Sequence, residues 1–228
     1  GCIDIEETDD LDKLTGLLSE KQVQTDFEKS VRTAGSLSGF MMEIDIDNFT
    51  SFNESEGVET GNKVLNVLAE ACRKCCTDGT KAYLLPGRKF LLMNLTQGSA
   101  DSMRRIYSSL KQQIQAAEYD SNYAFMFTVS AGGIALYKDT SDISELLKKL
   151  TFSLNTAKLR GKNNMYLFNA SEYNSHLYEL DLENELRLSI TNNFSGFRIF
   201  YQPVVDAKRL IEAGGTDPAG FKKKRKAR

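Results

Sequence analysis

The chain has 228 residues, 41% of them hydrophobic and 26% charged, with a formal net charge of −2, the make-up of a soluble globular protein of one ordinary domain with some length to spare. No apolar run approaches the ~20 residues needed to cross a bilayer, and no secretory leader opens the chain; neither point excludes an upstream membrane or sensor region. Six of the last seven residues, 222–228, are basic, which leaves the body at −8, the wrong sign for a nucleic-acid partner.

In chain order, Gly1–Asp10 is acidic and reads as linker. Val23, Phe27 and Val31 at helical spacing predict a helix over Ser19–Val31. Gly39–Asp47 reads as a strand, and Gly61–Cys76 as an amphipathic helix carrying Val64, Leu65, Leu68 and Ala71. Cys72, Cys75 and Cys76 fall on that helix, while the one histidine, His176, is far away. Together with Cys2 they read as free thiols rather than zinc ligands, a pattern suited to a reducing cytosol.

Ala82–Leu85 and Phe90–Met93 flank Pro86-Gly87-Arg88-Lys89, and Pro-Gly is turn chemistry, so a hairpin is expected. A helix over Ala100–Ala117 and a strand over Tyr123–Tyr137 follow. Asp142, with Glu145 three residues on, is an N-cap signal for a helix ending near Gly161. Met165–Phe168 is a short strand, Tyr173–Asn192 reads as a connecting helix and Phe197–Val205 as a further strand. The glycine-containing run 214–220 reads as linker, and the basic end as a disordered tail. Interleaved strands and helices predict an α/β or α+β sandwich, one sheet covered by helices.

Asp45 and Asp47 close the first long strand one residue apart, and alternate side chains of a strand share a face. Two carboxylates there suit Mg²⁺; a solvated strand end is the plainer alternative.

The ordered set Asp12-Lys13-Leu14-Thr15-Gly16-Leu17, Asp45-Ile46-Asp47-Asn48-Phe49, Asn53, Gly57, Gly61-Asn62 and Ala157-Lys158-Leu159-Arg160-Gly161-Lys162-Asn163 resembles the GGDEF (diguanylate cyclase) family. The resemblance covers about residues 11–170. It implies a mainly antiparallel sheet flanked by helices, like the palm of nucleotide cyclases and polymerases with its ferredoxin-like core. It also implies a reaction in which two GTP-loaded domains form cyclic di-GMP by metal-assisted phosphoryl transfer. Carried over residue by residue, Asp45, the Ile46 carbonyl and Asp47 match the metal-binding region. Asn53 and Asn62 match guanine contacts, and Lys158 and Lys162 match phosphate contacts.

The signature loop departs from the family. G-G-[DE]-E-F is here Pro86-Gly87-Arg88-Lys89-Phe90, so Arg88 stands for the second metal-binding carboxylate and Lys89 for the catalytic glutamate. At ~4 Å and an effective dielectric near 20, each reversed unit charge is worth ~4 kcal/mol against a cation. Asn62 replaces an aspartate that accepts two hydrogens from guanine, and its amide offers one acceptor and one donor. Thr50 stands where a lysine reaches phosphate, and Thr77–Thr80 where the R-x-x-D product-inhibition motif would lie. On this reading the catalytic residues are not intact and the nucleotide and metal sites are vestigial. Arg88 and Lys89 are then either solvated loop residues or direct contacts to GTP phosphates.

Glu185-Leu186-Arg187 and Phe200-Tyr201-Gln202-Pro203-Val204-Val205-Asp206 resemble the opening of an EAL phosphodiesterase domain. The expected organisation is linker 1–10, degenerate GGDEF domain 11–170, connecting helix 171–192, the beginning of an EAL-like domain 193–210 and tail 211–228. The leading functional expectation is a non-catalytic regulatory domain of cyclic di-GMP signalling that binds GTP and modulates an attached EAL domain. An active cyclase with a variant loop and a pure protein-interaction module are the alternatives. No cofactor is required beyond Mg²⁺ accompanying GTP. The implied partners are GTP, the EAL domain and a second copy through the GGDEF face or the connecting helix, without nucleic acid or membrane contact. The implied location is the cytoplasm, with a parent protein that membrane anchoring does not contradict.

Overall fold

A computed structural model of the chain describes residues 10–34, 37–77, 79–122, 124–137 and 142–194. Cys2, the strand expected over Phe197–Val205, the rest of the EAL-like stretch after 194 and the tail lie outside the described residues. The elements are β1 (Leu18–Ser19), α1 (Glu20–Ala34), β2 (Phe40–Ile46), α2 (Phe49–Glu56), α3 (Val58–Cys75), β3 (Lys81–Leu85), β4 (Lys89–Asn94), α4 (Ala100–Asp120), β5 (Val129–Ala135), α5 (Ile143–Leu159), β6 (Met165–Leu167) and α6 (Ala170–Thr191). Six strands form one sheet in the order β1-β3-β4-β2-β5-β6. The four central strands pair antiparallel, and the parallel pairs sit at the two edges. Gly1–Leu177 is one compact unit, holding the sheet and α1 to α5; a second begins at Tyr178 within α6.

β2 runs through the middle, and its pleat separates two cores. Phe40, Met42, Ile44 and Ile46 join Leu68 and Cys72 of α3 and Leu110 and Ile114 of α4. Met41, on the other face, joins Val23 and Phe27 of α1 and Leu146 and Leu150 of α5. The next residues on this second face are Glu43 and Asp45, so two acids extend an otherwise apolar row toward the C-terminal end of the strand.

α5 begins where the cap signal predicts: the Asp142 carboxylate accepts from the backbone N–H of Ser144 at 2.8 Å and of Glu145 at 3.4 Å. It lies unusually close to the sheet because β5 carries Gly132 beneath it. A Cβ there would sit 2.3 Å from the backbone N of Leu154 and 2.8 Å from the carbonyl O of Leu150. Gly132→Ala is therefore expected to push α5 outward and lower stability by about 1–3 kcal/mol, read as a fall in the thermal midpoint. Gly132→Ser should cost at least as much.

Two elements differ from expectation. The strand predicted from Tyr123 is β only from Val129 to Ala135, with Tyr123 itself outside the described residues. Its earlier polar groups bond elsewhere: Phe127 N–H donates to Glu118 Oε1 at 3.0 Å, and Thr128 Oγ1 donates to Asp47. The helix expected from Gly61 starts at Val58 and is preceded by α2, which buries no residue fully and so carries a weak hydrophobic pattern. Gly57, at φ 84°, separates the two helices.

Cys72 and Cys75 of α3 and Cys76 just after it are unpaired, and Cys72 and Cys75 are buried, as the sequence suggested. Burial pushes the Cys72 thiol well up and raises that of Cys76 to about 11, so both stay protonated and unreactive at neutral pH.

Candidate functional site

The β3–β4 turn, the C-terminal end of β2, the start of β5 and the end of α5 converge on one corner of the sheet. Pro86, Gly87 and Arg88 make a single turn in which Gly87 (φ 77°) and Arg88 (φ 63°) both take left-handed backbone conformations. Glycine accepts this without penalty; arginine does so only because the hairpin demands it. The Arg88 guanidinium is stacked on α2, 5.4 Å from the centroid of the Phe49 ring, a cation–π contact.

Lys89 opens β4. Ile44 and Phe90 are register partners, so Lys89 lies one step on, across from Asp45 and diagonal to Glu43. Such diagonal neighbours are within reach of long side chains. Its ammonium sits 2.9 Å from Glu43 Oε1, with the two side chains 28% and 3% exposed. Thr151 Oγ1 of α5 donates to the other Glu43 oxygen at 3.3 Å. Lys89 is thus partly withdrawn from solvent and held in place by its partner. It neutralises a carboxylate buried in the sheet, and a buried carboxylate must be paired to stay charged. Sequence reasoning missed Glu43; its one signal was an acid in the apolar run Phe40–Ile46.

Asp45 is held by the Lys158 ammonium, a contact made possible by the close seat of α5. Asp47 is buried and fully engaged. It accepts from Thr128 Oγ1 at 2.7 Å, Ser130 Oγ at 2.7 Å and the backbone N–H of Asn163 at 2.9 Å. The last of these depends on the tight turn after α5, where Gly161, Lys162 and Asn163 all have positive φ. In the same turn Lys162 Nζ donates to Asn48 Oδ1 at 2.5 Å. Ile46 is paired with Val129 in the sheet, its side chain in the core.

Beside the turn lies a cleft of about 560 Å³ lined by Phe49, Thr50, Asn53, Glu54, Val58, Gly87 and Arg88. Arg88, Thr50 and Asn53, singled out in sequence for separate reasons, come together here. Asn53 Oδ1 is buried without a hydrogen-bond partner. It is tucked against Gly61, where a Cβ would stand only 1.8 Å away. Asn62 follows on α3. At the opposite end of the sheet, Thr77 and Thr80 line a second cleft with Lys74 and Arg105.

These residues do not fit a two-ion magnesium site. Glu43 and Asp45 are each engaged by an ammonium, and Asp47 by three donors. Among the described residues no group of three or more His, Cys, Asp or Glu side chains is placed to hold a metal ion.

A mainly antiparallel sheet with helices on both faces and a tight β-hairpin at its corner is a palm-like fold. The chain belongs to the GGDEF family: residues 9–164 match the model described as "Diguanylate cyclase, GGDEF domain". Among curated proteins it is 27% identical over 201 residues to the cyclic di-GMP phosphodiesterase NbdA of Pseudomonas aeruginosa, covering 85% of this chain and 25% of that protein. It is 25% identical over 210 residues to the signaling protein YkoW of Bacillus subtilis, covering 89% and 26%. Against the Escherichia coli diguanylate cyclase DosC it is 25% identical over 166 residues, covering 71% and 35%. The chain thus spans about a quarter to a third of these relatives' length. Among solved structures, the GGDEF domain of TpbB (YfiN) from Pseudomonas aeruginosa superposes with a TM-score of 0.63 at 20% identity, covering 73% of this chain and 99% of that one. The Pseudomonas aeruginosa diguanylate cyclase SiaD, in complex with its activator SiaC, does so at 0.61 and 18%, covering 71% and 63%. These likenesses establish the fold. No described helix is long and apolar enough to cross a membrane.

Proposed function

We propose that this member of the GGDEF family is a non-catalytic regulatory domain of cyclic di-GMP signalling, one that takes a guanine nucleotide in the Asn53–Arg88 cleft and biases an attached EAL phosphodiesterase. The observation that carries the reading is the pairing of Lys89 with Glu43. Phosphoryl transfer in this family's manner needs metal charge on the phosphates and a carboxylate beside them. Here both signature acids are replaced by cations, and one of them is paired with the buried Glu43.

The cleft supports nucleotide binding through Asn53, Arg88 and the neighbouring Lys158 and Lys162. The attached phosphodiesterase is supported by the residues 200–206 and by the 201-residue alignment to NbdA, a cyclic di-GMP phosphodiesterase. A second copy pairing through the connecting helix is supported by exposed Leu180, Leu182 and Leu186 on α6. We place the domain in the cytoplasm, where GTP is available to it.

Incubation of the purified chain with GTP and Mg²⁺, followed by product chromatography, should yield no cyclic di-GMP. The Arg88→Glu/Lys89→Glu variant should also yield none, since Pro86 and Asn62 are unchanged and Glu43 would then face a second carboxylate. Turnover by the parent chain contradicts the reading and restores the variant-loop cyclase; turnover by the double variant alone contradicts the argument from Pro86 and Asn62. Calorimetry with GTP tests the ligand, and the absence of heat at millimolar nucleotide would leave only a protein-interaction module.

A further inference from the structure

The corner of the sheet carries an unusual balance of charge. Its carboxylates are Glu43, Asp45, Asp47 and the cleft's Glu54; its cations are Arg88, Lys89, Lys158 and Lys162. Four cations against four acids leave the set neutral. With the family's carboxylates at 88 and 89, the same set would hold six acids against two lysines, a charge of −4. A triphosphate approaching a −4 site is repelled unless divalent ions intervene; one approaching a neutral site is not.

The arrangement of the cations points the same way. Lys89 sits on Glu43 and Lys158 on Asp45, so each acid otherwise open to an ion already has a fixed ammonium against it. An ammonium carries three donors. A carboxylate that takes one leaves others for phosphate oxygens, and Lys89 keeps 28% of its side chain exposed. Arg88 lines the cleft itself with its guanidinium stacked on Phe49, which leaves the edge of the planar fork for a phosphate. The acid most deeply committed, Asp47, is satisfied by neutral donors and contributes no vacant oxygen.

We propose that these lysines and Arg88 supply the charge that divalent ions would otherwise bring, so that the site neither retains a divalent cation nor needs one to hold a nucleoside triphosphate. This deepens the nucleotide reading above and rests on it for the identity of the ligand.

The test is a titration of the full chain with the fluorescent analogue mant-GTP at constant ionic strength, once in excess EDTA and once in millimolar Mg²⁺. The expected result is a Kd in EDTA equal to the Mg²⁺ value within about twofold, or tighter. Arg88→Ser, an exposed change that spares the core, should weaken the EDTA value about tenfold. Binding seen only with Mg²⁺ overturns the inference while leaving the nucleotide reading intact. Binding in neither buffer overturns the nucleotide reading, and the ligand half of this inference with it. The metal half is decided separately by Mn²⁺ paramagnetic resonance without nucleotide. No bound Mn²⁺ supports it; one equivalent of Mn²⁺ that Asp45→Asn removes overturns it.

Discussion

Replacing Lys89 by methionine is expected to lower the unfolding free energy by about 3–5 kcal/mol, because it strands a carboxylate in the sheet with only a threonine hydroxyl beside it. Glu43 is 3% exposed and lies in the paired stretch of β2 and β4. The companion variant decides the interpretation. Glu43→Met/Lys89→Met removes both charges and fills the space with flexible apolar side chains, and replacing a buried pair in this way is commonly neutral or stabilising. Urea unfolding should therefore place the single variant well below the parent and the double variant at or above it. If Lys89→Met unfolds at the parental midpoint, the pair is not structural, and Lys89 is merely a solvated hairpin residue. Lys89→Glu should be worse than Lys89→Met, since it sets two carboxylates within reach of one another. For that reason, placing a glutamate at this position is expected to remove a support of the fold.

Asp47→Ala is expected to cost about 3 kcal/mol or more. Three hydrogen bonds to a charged acceptor are lost, each worth about 1.5–3 kcal/mol, and buried donors are left behind. Its partners lie on β5 and on the turn after α5, so the loss should loosen the attachment of that turn to the end of β2. Denaturant unfolding measures the total. Amide hydrogen exchange should show the backbone N–H of Asn163 losing protection first, while β3 and β4 stay protected. A purely metal-binding aspartate behaves oppositely: removing it relieves repulsion, and the metal-free protein is as stable or more so. The sign of the change thus separates a structural Asp47 from an ion ligand. Asp47→Asn, which keeps one acceptor oxygen, should fall between the parent and alanine.

Much of the architecture was legible in the sequence because local signals agreed with the fold. The Asp142 cap, the Pro86-Gly87 turn, the pleat of β2 and the helical spacing on α3 and α5 each act over a few residues, and all of them stand in the structure. The elements that escaped notice have weak local patterns. α2 buries no residue fully, and β1 is two residues long and exists because β3 offers it a parallel partner. Asp45, Asn53, Lys158 and Lys162 stood out through the resemblance to the family's ordered motifs, and the structure sets Lys158 against Asp45.

The sequence by itself determined the family-like frame and the reversal of charge at 88 and 89, because both are matters of residue type along the chain. Only the tertiary structure decided what those charges do. Glu43 and Lys89 are 46 positions apart and become neighbours through the β2–β4 register; Asp45 meets Lys158 because Gly132 lets α5 settle on the sheet; Asp47 is claimed by β5 and a distant turn. Electrostatic energy depends on separation in space and on burial, and neither quantity is written in the order of residues.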